Sequence, residues 1–92
     1  MKIRVKFFAT FRELFGGEEK EIELENGSNI QDLLNRLCDL SRCYQKIFDH
    51  SGKLRPDVKI LKKGRHIQFL DGLHTQLEEG DVIIMFPPVV GG

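Results

Sequence analysis

The sequence predicts an α+β fold in which a mixed sheet carries one main helix across one face, with its first and last strands parallel and central. Three observations predict it. Residues 2–8 alternate between apolar and basic side chains, as a half-buried strand does. Residues 29–40 repeat leucine and isoleucine at helical spacing. Residues 82–86 form the most apolar run of the chain, which is typical of a central strand buried on both faces.

The first two strands are predicted to pair antiparallel. In the first strand, Ile3, Val5 and Phe7 share one face. The apolar residues of 11–15 then fit one or two helical turns ended by the glycine pair at 16–17. Residues 20–25 alternate again, so a second strand follows the first after this short detour.

The main helix is predicted over residues 29–40. Ser28 and Gln31 have the spacing of a capping box before it. A second short helical turn is expected near residues 43–48. Pro56 excludes a helix from the next segment, and Val58 begins a third strand.

The remaining strands complete a β-grasp arrangement. The Lys63-Gly64 turn leads to a predicted short strand at residues 67–69, and prolines end the last strand after Phe86. The long connection between the first and last strands satisfies the crossover that a parallel pair requires. We therefore expect one domain over residues 1–86 and a flexible tail over residues 87–92.

Composition excludes several classes of protein. Fourteen basic residues balance fourteen acidic ones in the 92 residues, which argues against nucleic-acid binding through bulk phosphate attraction. No apolar run is long enough for a membrane helix, and the chain opens on a strand pattern instead of a signal peptide. We expect a cytoplasmic protein in which Cys38 and Cys43 are thiols that behave as small hydrophobic residues.

Motifs for catalysis or metal binding are absent from the sequence. The three histidines are scattered, and neither a metal-ligand spacing nor a phosphate-binding glycine loop occurs. We expect no bound metal or cofactor and no catalysis by this chain alone. We interpret a basic cluster as a solvated hairpin, in preference to a docking patch for an acidic partner: Lys59, Lys62, Lys63 and Arg65.

An apolar patch is predicted on the open face of the sheet. If Ile83 and Met85 face the helix, strand parity gathers Phe8, Ile84 and Phe86 on the other side. Exposed apolar patches of this kind mark protein partners.

The C-terminus is the second candidate site. Pro87 and Pro88 favour an extended path, and the six residues from Pro87 to Gly92 reach about 20 Å. The chain stops on Gly91 and Gly92, which have no side chains to block entry into a narrow tunnel. This combination suits the insertion of a terminal carboxylate into a partner's active site.

These motifs resemble those of the MoaD-type small subunit of molybdopterin synthase, within the ubiquitin-like sulfur carriers. The likeness lies in Phe7-Phe8-Ala9 with Arg12-Glu13-Leu14, in Leu77–Asp81, and in the terminal Phe86-Pro87-Pro88-Val89 with Gly91-Gly92. Residues 41–76 match only loosely, and the segment 65–76 is long for the family.

The resemblance implies a chemistry and a set of partners. Gly92 would be adenylated by a separate activating enzyme, which binds the ATP and Mg²⁺, and then converted to a thiocarboxylate. The large synthase subunit would accept the tail and supply the catalytic lysine. The partner-contacting residues would be Phe8, Ile84, Phe86, Pro87, Pro88, Val89 and Val90.

Three alternatives stay open. A ubiquitin-like modifier of the small archaeal type would use the same Gly92 to form an isopeptide bond with target lysines. A β-grasp interaction module would carry an inert tail. A thiamine-pathway sulfur carrier is less favoured, because that family is shorter and generally lacks the Pro-Pro pair. The sequence does not choose between molybdenum and tungsten.

Overall fold

A computed structural model describes residues 1–38 and 41–88, including the backbone but not the side chains of residues 41 and 42. The sequence expectations at residues 39–40 and 89–92 lie outside this part of the chain. The described elements, in chain order, are β1 (Lys2–Phe7), α1 (Thr10–Phe15), β2 (Glu19–Glu23), α2 (Ile30–Leu37), α3 (Ser41–Ile47), β3 (Lys59–Lys62), β4 (Arg65–His66), two 3₁₀ turns (Ile67–Phe69 and Gly72–His74) and β5 (Val82–Phe86).

The described strands form one sheet in the order β2-β1-β5-β3-β4. β1 and β5 are parallel, and the other neighbouring pairs are antiparallel. The predicted mixed sheet with a parallel pair of first and last strands is therefore confirmed. It is a β-grasp fold, with β5 at the centre.

The core lies between the sheet and the helices. Along β1, Ile3, Val5 and Phe7 are at most 1% exposed, which follows from the alternation in the sequence. Ile83 and Met85 of β5 are fully buried on the same side. α2 contributes its own buried stripe from Ile30, Leu33 and Leu34.

The start of α2 differs from the prediction. Asn29, not Ser28, caps the helix: its side chain accepts a hydrogen bond from the Asp32 N–H, and the Asp32 carboxylate accepts one from the Asn29 N–H. The Ser28 carbonyl instead accepts a hydrogen bond from the Leu77 N–H, which fixes the chain ahead of the helix. The last helical residue is Leu37, within the predicted span.

The predicted strand at residues 67–69 is wrong, because these residues form a 3₁₀ turn. The short strand instead occupies Arg65 and His66. The His66 Nδ1 atom accepts a hydrogen bond from the Gln68 N–H and so caps the turn. Ile67 is 1% exposed, so its burial turns the chain away from the sheet edge.

Lys62 corrects the solvated-hairpin prediction, since only 8% of this residue is exposed. Its ammonium lies 3.4 Å from the buried Asp81 carboxylate and 3.7 Å from that of Glu78, and it donates a hydrogen bond to the Gln76 carbonyl. Lys59, Lys63 and Arg65 remain exposed, as predicted.

The prediction of thiols is also wrong, because Cys38 and Cys43 form a disulfide. Their Cα atoms are 5.3 Å apart, within the range that a disulfide spans. The bond joins the end of α2 to α3, and both residues are buried in the core. The five-residue spacing of the two cysteines does not by itself predict that their sulfur atoms meet.

Over the described residues, no helix has the length and apolar character needed to cross a bilayer.

Candidate functional site

An apolar stripe runs along the sheet face that lies opposite the helices. β5 contributes Val82, Ile84 and Phe86, which alternate with its buried residues. The register sets Leu61 of β3 beside Ile84, and the Phe8 ring stacks on Phe86. Val82 is 37% exposed and the other four are partly buried. We call these five residues the apolar stripe.

The stripe ends in an aromatic pair where β5 stops. The Phe8 and Phe86 rings stack with centroids 4.7 Å apart and an interplanar angle of 15°. The Arg12 guanidinium covers the Phe8 ring at 5.4 Å from its centroid, a cation–π distance. Arg12 Nε also donates a hydrogen bond to the Phe7 carbonyl, which holds the guanidinium over the pair.

A strained turn places Phe8 on this face. The chain leaves β1 through Ala9, whose φ of 52° and ψ of −132° lie in a region that favours glycine. The turn closes with hydrogen bonds from the Phe11 N–H to the Phe8 carbonyl and from the Arg12 N–H to the Ala9 carbonyl. Strained residues of this kind are concentrated at functional sites. Here the backbone conformation at Ala9 leaves Phe8 on the open face of the sheet and directs Phe11 into the core.

Basic residues flank the apolar stripe on both sides. Arg4 and Lys6 of β1 lie beside Val82 and Ile84, and Lys59 of β3 lies beside Phe86. The acidic residues of this face sit farther out, on β2, where Arg4 reaches Glu19 at 3.8 Å. The stripe is therefore apolar with a positive margin.

The tail begins at the aromatic end of the stripe. Pro87 and Pro88 follow Phe86 directly, are partly buried and continue neither strand nor helix. Of the predicted site residues, the structure brings together Phe8, Ile84 and Phe86 and places the two prolines beyond them. The predicted contacts at Val89 and Val90 and the predicted reactive residues Gly91 and Gly92 lie outside the described residues.

Sequence reasoning missed two members of this surface. Leu61 alternates with Ile60 and Lys62 in β3, so strand parity could have placed it on the open face. Arg12 could not have been placed without the turn at Ala9, because helix periodicity alone does not orient it toward Phe8.

The described side chains offer docking groups but no catalytic constellation. No group of three or more His, Cys, Asp or Glu residues among them could hold a metal ion. Burial, followed by the charge of Lys59, lowers the pKa of His66. Hydrogen bonds from the Ser51 hydroxyl and the Lys53 N–H lower the pKa of Asp49, which only closes a surface loop.

Known proteins resemble this chain in sequence and in fold. The model of the ThiS family matches residues 5–92. Small archaeal modifier protein 3 of Haloferax volcanii is 34% identical over 93 residues, covering all of both chains. The molybdopterin synthase sulfur carrier subunit of Mycobacterium tuberculosis is 28% identical over 93 residues, covering 100% of this chain and 99% of that one. The crystal structure of SAMP1 from Haloferax volcanii superposes with a TM-score of 0.85 over the full length of both chains, at 24% identity, and supports the fold.

Proposed function

Because the chain belongs to the ThiS family, we propose that it is a sulfur carrier whose Gly92 is adenylated and converted to a thiocarboxylate. In this role it serves as the small subunit of molybdopterin synthase. The observation that carries the proposal is the position of the apolar stripe. Its last residue, Phe86, is followed directly by the Pro-Pro-Val-Val-Gly-Gly tail. A partner that covers the stripe receives the tail at its own surface.

The chemistry explains why a separate enzyme is needed. A carboxylate is a poor electrophile, so one Gly92 oxygen first attacks the α-phosphate of ATP and releases pyrophosphate. A sulfur nucleophile then displaces AMP from the acyl adenylate. ATP and Mg²⁺ are bound by the activating enzyme, and this chain contributes only the acyl group.

The rigid domain determines where the acyl group is delivered. The tail holds the thiocarboxylate within about 20 Å of the docked stripe, which raises its local concentration in the partner's active site. The large synthase subunit supplies a cationic pocket and a lysine there. The domain itself contributes recognition, through apolar contact at the stripe and positive charge at its margin.

The test is the intact mass of the full chain after incubation with the adenylating enzyme of the same organism, ATP and a sulfur donor. We expect one oxygen to be replaced by sulfur, and no change in a chain lacking Gly92. That deletion is expected to leave the unfolding temperature unchanged. An unmodified wild-type chain would support the inert-tail alternative.

Recognition through the stripe is tested separately with Phe8→Asp. Docking would bury the new carboxylate of Asp at position 8, so the variant is expected to bind the adenylating enzyme more weakly. The fold is expected to be retained, as checked by circular dichroism. Lys46→Asp places the same residue on α3, across the sheet from the stripe, and is expected to bind as wild type does. Equal affinities for the two variants would remove the stripe from the proposal.

A second candidate function is conjugation to proteins. The relative named small archaeal modifier protein 3 matches this chain over its full length, which favours it. The same adenylated Gly92 would then form an isopeptide bond with a target lysine. Blotting of cell extracts for species of higher mass that disappear on Gly92 deletion would support this function.

A further inference from the structure

Phe69 is the most exposed large hydrophobic residue in the described chain, with 70% of its surface accessible. It lies at the end of the 3₁₀ turn that follows β4. Most of the Phe69 side chain stays exposed, while Ile67, two residues before it, is buried in the core. Ile67 therefore anchors the turn in the core, and the turn leaves the Phe69 side chain exposed to solvent.

The displayed ring is held in a defined position. The Leu70 N–H donates to the Ile67 carbonyl at 2.9 Å, and the Gln68 N–H donates to His66 Nδ1 at 3.0 Å. The His66 and Phe69 rings meet edge to face with centroids 6.4 Å apart. Because the turn is already ordered, little further conformational entropy is lost when a partner covers Phe69.

The position of Phe69 is continuous with the apolar stripe. Ile84 pairs with Leu61, and Leu61 pairs with His66 across β3 and β4. His66 thus connects the stripe to the Phe69 ring at the sheet edge. The aromatic pair Phe8–Phe86 lies at the exit of the tail, so the two aromatic groups occupy different parts of one surface.

The charges near Phe69 are mostly positive. Lys59 and Arg65 are exposed on β3 and β4, and Lys63 in the turn between them is also exposed. The nearby carboxylate of Glu78 lies 3.7 Å from both Lys62 and Lys63. Asp71, two residues past Phe69, is an exposed acidic residue. A partner that fits here offers an apolar pocket with carboxylates on its rim.

We propose that Phe69 is a second anchor for the adenylating enzyme, inserting into an apolar pocket whose rim carboxylates face Lys59. This inference rests on the proposed function, because the occupant is the enzyme that activates Gly92. Two anchors at different places on the surface fix the rotation of the domain about the aromatic pair. The tail is thereby directed into the active site.

Isothermal titration of the full chain with the adenylating enzyme of the same organism tests the anchor. Phe69→Ala is expected to raise Kd by about tenfold or more, the effect of an interface hot spot. Gln68→Ala, an exposed neighbour on the same turn, is the matched control and is expected to bind as wild type does. Lys59→Glu is expected to weaken binding, and Lys46→Glu, on α3, is not.

The outcomes separate the two proposals. A wild-type chain that does not bind the enzyme contradicts the proposed function. A wild-type chain that binds, with Phe69→Ala within twofold of it, overturns the anchor alone. Sedimentation velocity tests whether Phe69 instead forms a dimer interface. If the wild-type chain is a dimer and Phe69→Ala is a monomer, the ring contacts a second copy of this chain, and the proposal is overturned.

Discussion

Replacing Lys62 by methionine should destabilise the domain strongly, because the change leaves a buried carboxylate without its counter-ion. The side chains of Lys62 and Asp81 are 10% and 5% exposed, with 3.4 Å between the ammonium nitrogen and the nearer carboxylate oxygen. The ammonium also satisfies the Gln76 carbonyl. Methionine preserves the aliphatic stem and removes only the charge and its hydrogen bonds.

The expected loss is about 3 kcal/mol of the free energy of unfolding. Removing one member of a buried ion pair costs about 3–5 kcal/mol. The lower end applies, because Asp81 keeps a hydrogen bond from the Glu78 N–H at 2.8 Å. Replacing Asp81 by asparagine in the same chain should recover part of the loss, since no buried charge then remains.

Urea unfolding followed by circular dichroism measures the difference. Lys63→Met is the matched control, because among the described residues Lys63 pairs only with Glu78, at 3.7 Å and exposed to solvent. This variant should lose less than about 1 kcal/mol of the free energy of unfolding. The reasoning fails if Lys62→Met costs no more than this control. It also fails if the double variant is no more stable than Lys62→Met alone.

Three further predictions concern the core, the disulfide and pH. Leu33→Ala should cost about 2–5 kcal/mol in urea unfolding, because Leu33 is fully buried, and a cost well under 1 kcal/mol would contradict its core position. Reducing the Cys38–Cys43 bond with a dithiol should remove about 2 kcal/mol, the loop-closure value for so short a loop, whereas an unchanged unfolding midpoint would refute the bond's contribution. Burial, followed by the charge of Lys59, lowers the pKa of folded His66. The neutral form is therefore favoured in the folded protein, and stability should fall as the pH drops from about 6.5 through the lower folded-state pKa. Thermal unfolding across that range should show a smaller fall in His66→Gln, and equal falls would exclude His66 as a source.

The sequence predicted the parts of the fold that depend on periodicity. Alternation in β1 and β5 gave the correct buried faces, so Phe8, Ile84 and Phe86 were correctly assigned to the opposite side. α1 ends at the glycine pair 16–17, as predicted, and Gly16 adopts a left-handed conformation there. These features are local, and each depends on residues within a few positions of one another.

The incorrect predictions depend on contacts distant in sequence. A lysine in a basic hairpin pattern gives no sign that Asp81 will neutralise it inside the protein. Ser28 and Asn29 are both good capping residues. Asn29 becomes the cap, because the hydrogen bond from the Leu77 N–H to the Ser28 carbonyl holds Ser28 outside the helix. Phe69 was assigned to a strand because its apolar neighbours fit one, while the hydrogen bond to His66 Nδ1 formed a turn instead.

The central position of β5 has a consequence for biosynthesis. β5 joins β1 to β3 although it follows both of them in the chain, so the sheet cannot close before β5 has been synthesised. A chain that stops before β5 leaves β1 and β3 each with an unpaired edge. We expect such an incomplete chain to be removed by chaperones and proteases as an unfolded protein.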